Sequence, residues 1–155
     1  MSRFSQRMNR MSVAVNAVLR PVFAALLAIS QFTSRRGAIF TPNDVVLILG
    51  VLITVAGVWL WAAAARHLTR AVAAATLATT GPYRTIRHPI YASMYLICIG
   101  MGLVFFAWLW FAVLLAFAPL WWLEARREEE AIAAEYSEAY TAHQSQTAMF
   151  VPGIW

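Results

Sequence analysis

Lysine is absent from this 155-residue chain, cysteine occurs once, and charged residues make up only 12% of it. A soluble domain carries about 25% charged residues. That shortage, with 61% hydrophobic residues and a mean hydropathy of +0.64, excludes an ordinary soluble globule and points to an integral membrane protein. The lone Cys98 excludes an intrachain disulfide and a cysteine-rich metal site, and inside an apolar run it serves as a small hydrophobe. His67, His88 and His143 lack metal-ligand spacing, so no metal is expected. No glycine-rich phosphate loop, nucleophile elbow or dinucleotide fingerprint is present. Neither an internal repeat nor a low-complexity linker divides the chain, so a single membrane domain over residues 1–155 is expected. Without lysine, the net charge of +5 rests on arginine. The arginines flank apolar segments, as topology signals do, and form no basic face for nucleic acid.

The expected fold is all-α: a polytopic membrane protein of about four transmembrane helices, with a C-terminal helical hairpin and a cytoplasmic amphipathic helix. The first apolar segment covers 12–32 and is interrupted by Arg20-Pro21; it also imitates a secretory signal, so its retention stays open. Pro42-Asn43-Asp44 carries helix-start chemistry before a span over 45–65, where Trp59 and Trp61 suit an interfacial belt. A polar connection follows over 66–89, with a short alanine-rich helix at Ala71–Ala78 lying along the interface and a turn at Gly81-Pro82. Ile90–Leu123 carries no charge. As one helix it would extend roughly 50 Å against a hydrocarbon core of about 30 Å. Two spans, 90–106 and 108–123, turning near Phe105-Phe106-Ala107-Trp108, fit better, with Gly100 and Gly102 letting the pair approach. Residues 124–155 read as a cytoplasmic helix and tail, with Ile132, Tyr136 and Tyr140 on one stripe. Arginines at 3, 7, 10, 66, 70, 84, 87, 126 and 127 against those at 35 and 36 put both termini in the cytoplasm. The arginine- and alanine-rich composition points to a GC-rich bacterial genome, and so to the inner membrane.

Two polar clusters bracket the uncharged run. On one side stand Tyr83, Arg84, Arg87, His88, Pro89 and Tyr91; on the other, Glu128, Glu129 and Glu130. Ionisable groups at a membrane edge are costly without partners, so they mark a site. A hairpin between the clusters would return the glutamates to the face that carries His88. Pro89 suits the first turn of a helix, and free backbone N–H groups there, with Arg84 and Arg87, would bind a carboxylate or phosphate. Tyr83 and Tyr91 add flat surfaces and hydroxyls, and the glutamates balance a cationic ligand. The alternative for the arginines is to mark helix ends, and for the glutamates to form a solvated helix start.

Thr80-Gly81-Pro82-Tyr83-Arg84-Thr85-Ile86-Arg87-His88-Pro89-Ile90-Tyr91, with the later Glu128-Glu129 pair, Tyr136-Ser137-Glu138-Ala139-Tyr140 and the ending Phe150-Val151-Pro152-Gly153-Ile154-Trp155, closely resembles the isoprenylcysteine carboxyl methyltransferase-like family and the related phospholipid methyltransferases. The likeness covers Ala78–Trp155. It implies a membrane methyltransferase that binds S-adenosylmethionine at the cytoplasmic face and takes its substrate from the lipid. Arg87, His88, Pro89 and Tyr91 would line the cofactor pocket and Glu128 and Glu129 would close it; His88 and the two glutamates are the candidate catalytic residues. His143, Met149 and Gln144-Ser145-Gln146 depart from the family pattern, which blurs substrate identity more than cofactor use. Prenylated protein C-termini, phospholipid amines and small hydrophobic acids or thiols stay open as acceptors. Two other functions compete. A membrane reductase using NADPH would share a related Arg-His element, although Ala92-Ser93 stands here in place of that group's Gly-Asp. A non-catalytic membrane-binding or assembly subunit would keep the fold without turnover.

Overall fold

The computed structural model describes residues 21–29 and 43–154, and among these the chain is helical with no β-strand. Residues 21–29 form α1, followed by α2 (Asp44–Ala73), a 3₁₀ turn (Gly81–Arg84), α3 (Pro89–Val104) and α4 (Trp108–Gln146). Two of these helices, α2 and α4, are long and apolar enough to cross a membrane. With 16 residues, α3 is shorter, about 24 Å at roughly 1.5 Å per residue. Most of the expected first span lies outside the described residues.

Asn43 caps α2 as its position in the sequence predicts, its side chain accepting from the Val45 N–H at 2.9 Å. Asp44 in the first turn and Arg70 in the last complement the helix dipole. The helix runs eight residues past the expected end, so the predicted interfacial helix over Ala71–Ala78 does not form. The chain stops instead in a Schellman motif: Ala75 adopts φ 53°, and Thr76 and Ala75 donate to the carbonyls of Ala71 and Val72. The same device ends α3, with Phe106 at φ 52° and the N–H groups of Ala107 and Phe106 donating to Gly102 and Leu103. That turn lies where the sequence predicts the hairpin.

Glycine decides which helices touch. A Cβ on Gly50 would come within 2.9 Å of the Gly100 carbonyl, and one on Gly57 within 2.8 Å of Ile97. These contacts make α2 and α3 an antiparallel pair whose backbones nearly meet. Gly100 therefore serves α2, against Thr54 and Gly50, and not the α3–α4 hairpin expected of it. Gly102 does face α4, with Phe111 and Trp110 about 3.0–3.1 Å from its missing Cβ. Elsewhere α4 stands further from α3. Its aromatic face meets α1 instead: Phe23 packs on Phe117 and Trp121 with ring centroids 5.1 and 5.9 Å apart. The rest of α2 is apolar and exposed almost all round, including Leu52, Val55 and Trp59. A helix with such a surface is solvated by lipid more readily than by water.

The cytoplasmic stripe predicted through Ile132, Tyr136 and Tyr140 is broken. Ser137 lies at φ 39°, ψ −107°, and divides α4 into two helical pieces. Gln144 donates to Glu129 at 3.4 Å across 15 residues, whereas an unbroken helix would hold them roughly 22 Å apart. The chain therefore doubles back at Ser137. A serine there adopts a conformation natural only to glycine, at a cost on the order of 1–3 kcal/mol. Ser137→Gly is expected to raise the thermal midpoint of the detergent-solubilised protein. A lower midpoint would show that the serine side chain stabilises the reversal more than its backbone strains it.

Candidate active site

The site is assembled where the segment before α3, the middle of α4 and the C-terminal tail meet. Residues 85–88 pair with 148–149 as a short parallel bridge: Arg87 N–H donates to the Ala148 carbonyl at 2.8 Å, His88 N–H to Met149 at 3.1 Å, and Ala148 N–H to Thr85 at 3.1 Å. The N–H groups of Arg87 and His88 are thus taken by the tail. The anion-binding place expected from free N–H groups there is not formed by these two donors. Pro89 occupies the first turn of α3, with His88 as its N-cap.

The hairpin returns the glutamates to this point, as the uncharged run predicts. Arg87 Nε donates to Glu129 Oε1 at 2.6 Å. Arg87 Nη1 donates to the backbone carbonyls of Gln144 and Thr147. His88 Nε2 lies 3.3 Å from the same Glu129 oxygen, which can only accept. Glu129 is 4% exposed and every one of these partners is close, so its charge is held inside the fold by direct neutralisation. Burial alone would raise its pKa, but hydrogen bonds and charge from His88 and Arg87 outweigh that and bring it down to about 2. Arg87 and Glu129 are bound to one another and to the tail. They fix the shape of the site.

Glu128 is the more open carboxylate, with its side chain 34% exposed. The Tyr91 hydroxyl donates to it at 2.7 Å, and His88 Nδ1 lies 3.7 Å from its other oxygen. Tyr83 is buried, and burial with the nearby Glu128 charge pushes its phenol up to about 12. Tyr91 and His88 therefore converge on one partly exposed carboxylate. Phe150 roofs the group, its ring 5.6 Å from His88 and 6.4 Å from Tyr91. Arg84 is exposed at the end of the 3₁₀ turn and stands outside these hydrogen bonds.

Several contributors escape a reading of the sequence. Gln144, the Thr147 carbonyl and Phe150 enter only because the chain reverses at Ser137. Tyr140 is buried beside the Arg87–Glu129 pair without meeting hydrogen-bond geometry, and burial and the Glu129 charge raise its pKa. Glu124, 3% exposed, sits one turn before Glu128 and meets Arg127 at 3.8 Å. Its helical spacing from Glu128 was the available signal.

Beside this cluster lies a cavity of about 1070 Å³, walled by α2, α3, α4 and the tail. Its lining is apolar through Trp59, Leu96, Ile99 and Trp122, and Arg66, His67 and Thr85 stand at one end. Phe150 and Trp121 line it as well, while Phe150 touches His88 and Trp121 touches Tyr91. The two rings form the wall between cavity and polar cluster.

A polar cluster at the end of an apolar helical hairpin, joined to a lipid-sized cavity, is the setting in which the family comparison is decisive. The sequence profile of the phospholipid methyltransferase family matches residues 45–139. The chain belongs to the phospholipid methyltransferase family. The match takes in α2 as well as the two polar clusters, and so reaches further toward the N-terminus than the motifs alone, and it ends before the tail. No curated protein and no solved structure matches the chain. Membership of this family makes it a membrane methyltransferase of the phospholipid and isoprenylcysteine type.

The depressed pKa of Glu129 has a definite sign. Its contribution to stability is complete above its ordinary value of 4.5 and is lost as pH falls toward about 2. Thermal midpoints of the wild-type protein should fall through that window. Glu129→Gln should start lower near neutral pH and show a flatter acid limb; parallel curves for the two proteins would show that another carboxylate governs acid unfolding.

Proposed function

We propose that this protein is an S-adenosylmethionine-dependent methyltransferase that acts at the cytoplasmic membrane face on a lipophilic or amphiphilic acceptor taken from the bilayer. The observation that carries this is the convergence of His88 and Tyr91 on Glu128 beside a large apolar cavity, in a chain of this family. The side chains suit the cofactor. A partly open carboxylate complements its cationic amino and sulfonium groups, and aromatic faces at Tyr83, Tyr91 and Phe150 suit a sulfonium and an adenine ring. Glu128, His88, Tyr83 and Tyr91 would hold it, with Pro89 setting the start of α3 and Arg84 at the rim. Arg87 and Glu129 would act through their grip on the tail.

Bound S-adenosylmethionine supplies an electrophilic methyl group and leaves as a neutral thioether. This chain contributes placement: the acceptor's lone pair must approach in line from the cavity side, with water excluded by Phe150 and Trp121. A carboxylate acceptor needs no base. An amine reaches the site as an ammonium and must first give up a proton, which His88 or Glu128, behind the Phe150–Trp121 wall, would accept. Both termini and the polar cluster would face the cytoplasm, in accord with the arginine distribution.

Calorimetry on the solubilised protein should detect binding of S-adenosylmethionine and none of NADPH. Losing a charge-assisted hydrogen bond costs about 1.5–3 kcal/mol, so Glu128→Gln should weaken that binding about tenfold or more and depress methyl transfer to membrane lipids. Unchanged affinity and turnover in folded Glu128→Gln would remove the carboxylate from the site, and binding of NADPH in place of S-adenosylmethionine would make the protein a reductase.

A further inference from the structure

Arg66 is a cation that the polar cluster does not use. It sits near the end of α2 and lines the apolar cavity. Its Nε donates to the Ala62 carbonyl at 3.1 Å, and among the described residues no carboxylate lies within ion-pair distance of its guanidinium. His67 beside it is fixed: Nδ1 and the Thr80 hydroxyl are 2.9 Å apart, and the ring lies against Gly81, which at φ 62° leaves no room for a Cβ. The 3₁₀ turn is thereby held against α2, and the exposed Arg66 stands at the polar end of the cavity.

The cavity is therefore amphiphilic along its length. From His67 back to Trp59 it follows eight residues of α2, roughly 12 Å of helix. The volume of about 1070 Å³ exceeds that of most small-metabolite pockets, which run to about 1,000 Å³. A chain of methylenes suits the apolar length, and an unpaired guanidinium suits a phosphate, which it grips through two parallel N–H donors. Resting on the acceptor role proposed above for this cavity, we infer that Arg66 is the anchor for the phosphate of a membrane lipid. It seats the headgroup at the rim beside Thr85 and Phe150, and the acyl chain runs down between Leu96, Ile99 and Trp59. Arg66 is thus a positioning and specificity residue outside both polar clusters.

Trp59, Trp121 and Trp122 line the cavity and report its occupancy once the other four tryptophans, at 61, 108, 110 and 155, are replaced by phenylalanine. The experiment uses the full chain in nonionic micelles, titrated with phosphatidylethanolamine carrying brominated acyl chains and, separately, with diacylglycerol carrying the same chains. Bromine quenches tryptophan on contact. Phosphatidylethanolamine should quench at lower concentration than diacylglycerol. Arg66→Gln should abolish that preference by weakening the phospholipid about tenfold or more, as the loss of a charge-assisted pair requires. Arg70→Gln removes the same charge one turn further along α2, outside the cavity lining, and should leave the preference intact. Equal quenching by both lipids, or an undiminished preference in Arg66→Gln, would overturn the anchor. Equal losses in Arg66→Gln and Arg70→Gln would reduce it to general surface charge, which also overturns it. Quenching needs no methyl transfer, so a preference that depends on Arg66 in a protein without turnover would uphold the anchor while refuting the proposed activity.

Discussion

The Arg87 guanidinium and the Glu129 carboxylate, 2.6 Å apart and both largely buried, bind together three stretches of chain that are distant in sequence. Moving either charge out of water is expensive, and their mutual attraction repays that cost only when the remaining donors and acceptors are satisfied. Here they are. Arg87 also donates to the Gln144 and Thr147 carbonyls, and Glu129 also accepts from His88 and Gln144. The bonds that neutralise the pair are the same bonds that fasten the tail under the start of α3. Phe150 is thereby laid across His88 and Tyr91, which separates the polar cluster from the cavity.

Unequal helix packing supplies the other half of the arrangement. Small residues let α2 and α3 approach almost backbone to backbone, so that pair forms a rigid wall. Helix α4 stands further from α3, and the cavity is bounded by α2, α3, α4 and the tail. The polar cluster is anchored on the rigid wall by α3 and completed by α4 and the tail. An apolar cavity thus lies directly beside a fixed polar site.

Much of this was legible in the sequence, for identifiable reasons. The uncharged run over Ile90–Leu123 was too long for one span, so it implied a hairpin, and the turn and the meeting of Tyr91 with Glu128 follow from it. Asn43 and Pro89 announced helix starts through local chemistry. The errors have equally local causes. Ala71–Ala78 reads as a helix by propensity, but the chain leaves α2 through a left-handed Ala75, which propensity does not reveal. Gly100 could face either neighbour, and only the packing shows that it faces α2. The periodic stripe through Tyr136 and Tyr140 concealed the reversal at Ser137, because a serine gives no warning of positive φ. With that reversal hidden, the tail's part in the site could not be deduced, nor could the bonds that tie Arg87 and Glu129 to it.

If the Arg87–Glu129 pair is the tie that closes the site, its two members must be energetically coupled. A double-mutant cycle built from Arg87→Met, Glu129→Met and the double variant, read as thermal stability in detergent, measures that coupling directly. Groups in contact within one buried network couple by about 0.5–3 kcal/mol, whereas independent sites add within about 0.5 kcal/mol. Each single variant leaves one buried charge unpaired and should lose stability, and the double variant should lose less than the sum of the two single losses. Strictly additive losses would contradict the account, because they would mean that the two side chains are not held together in the folded protein.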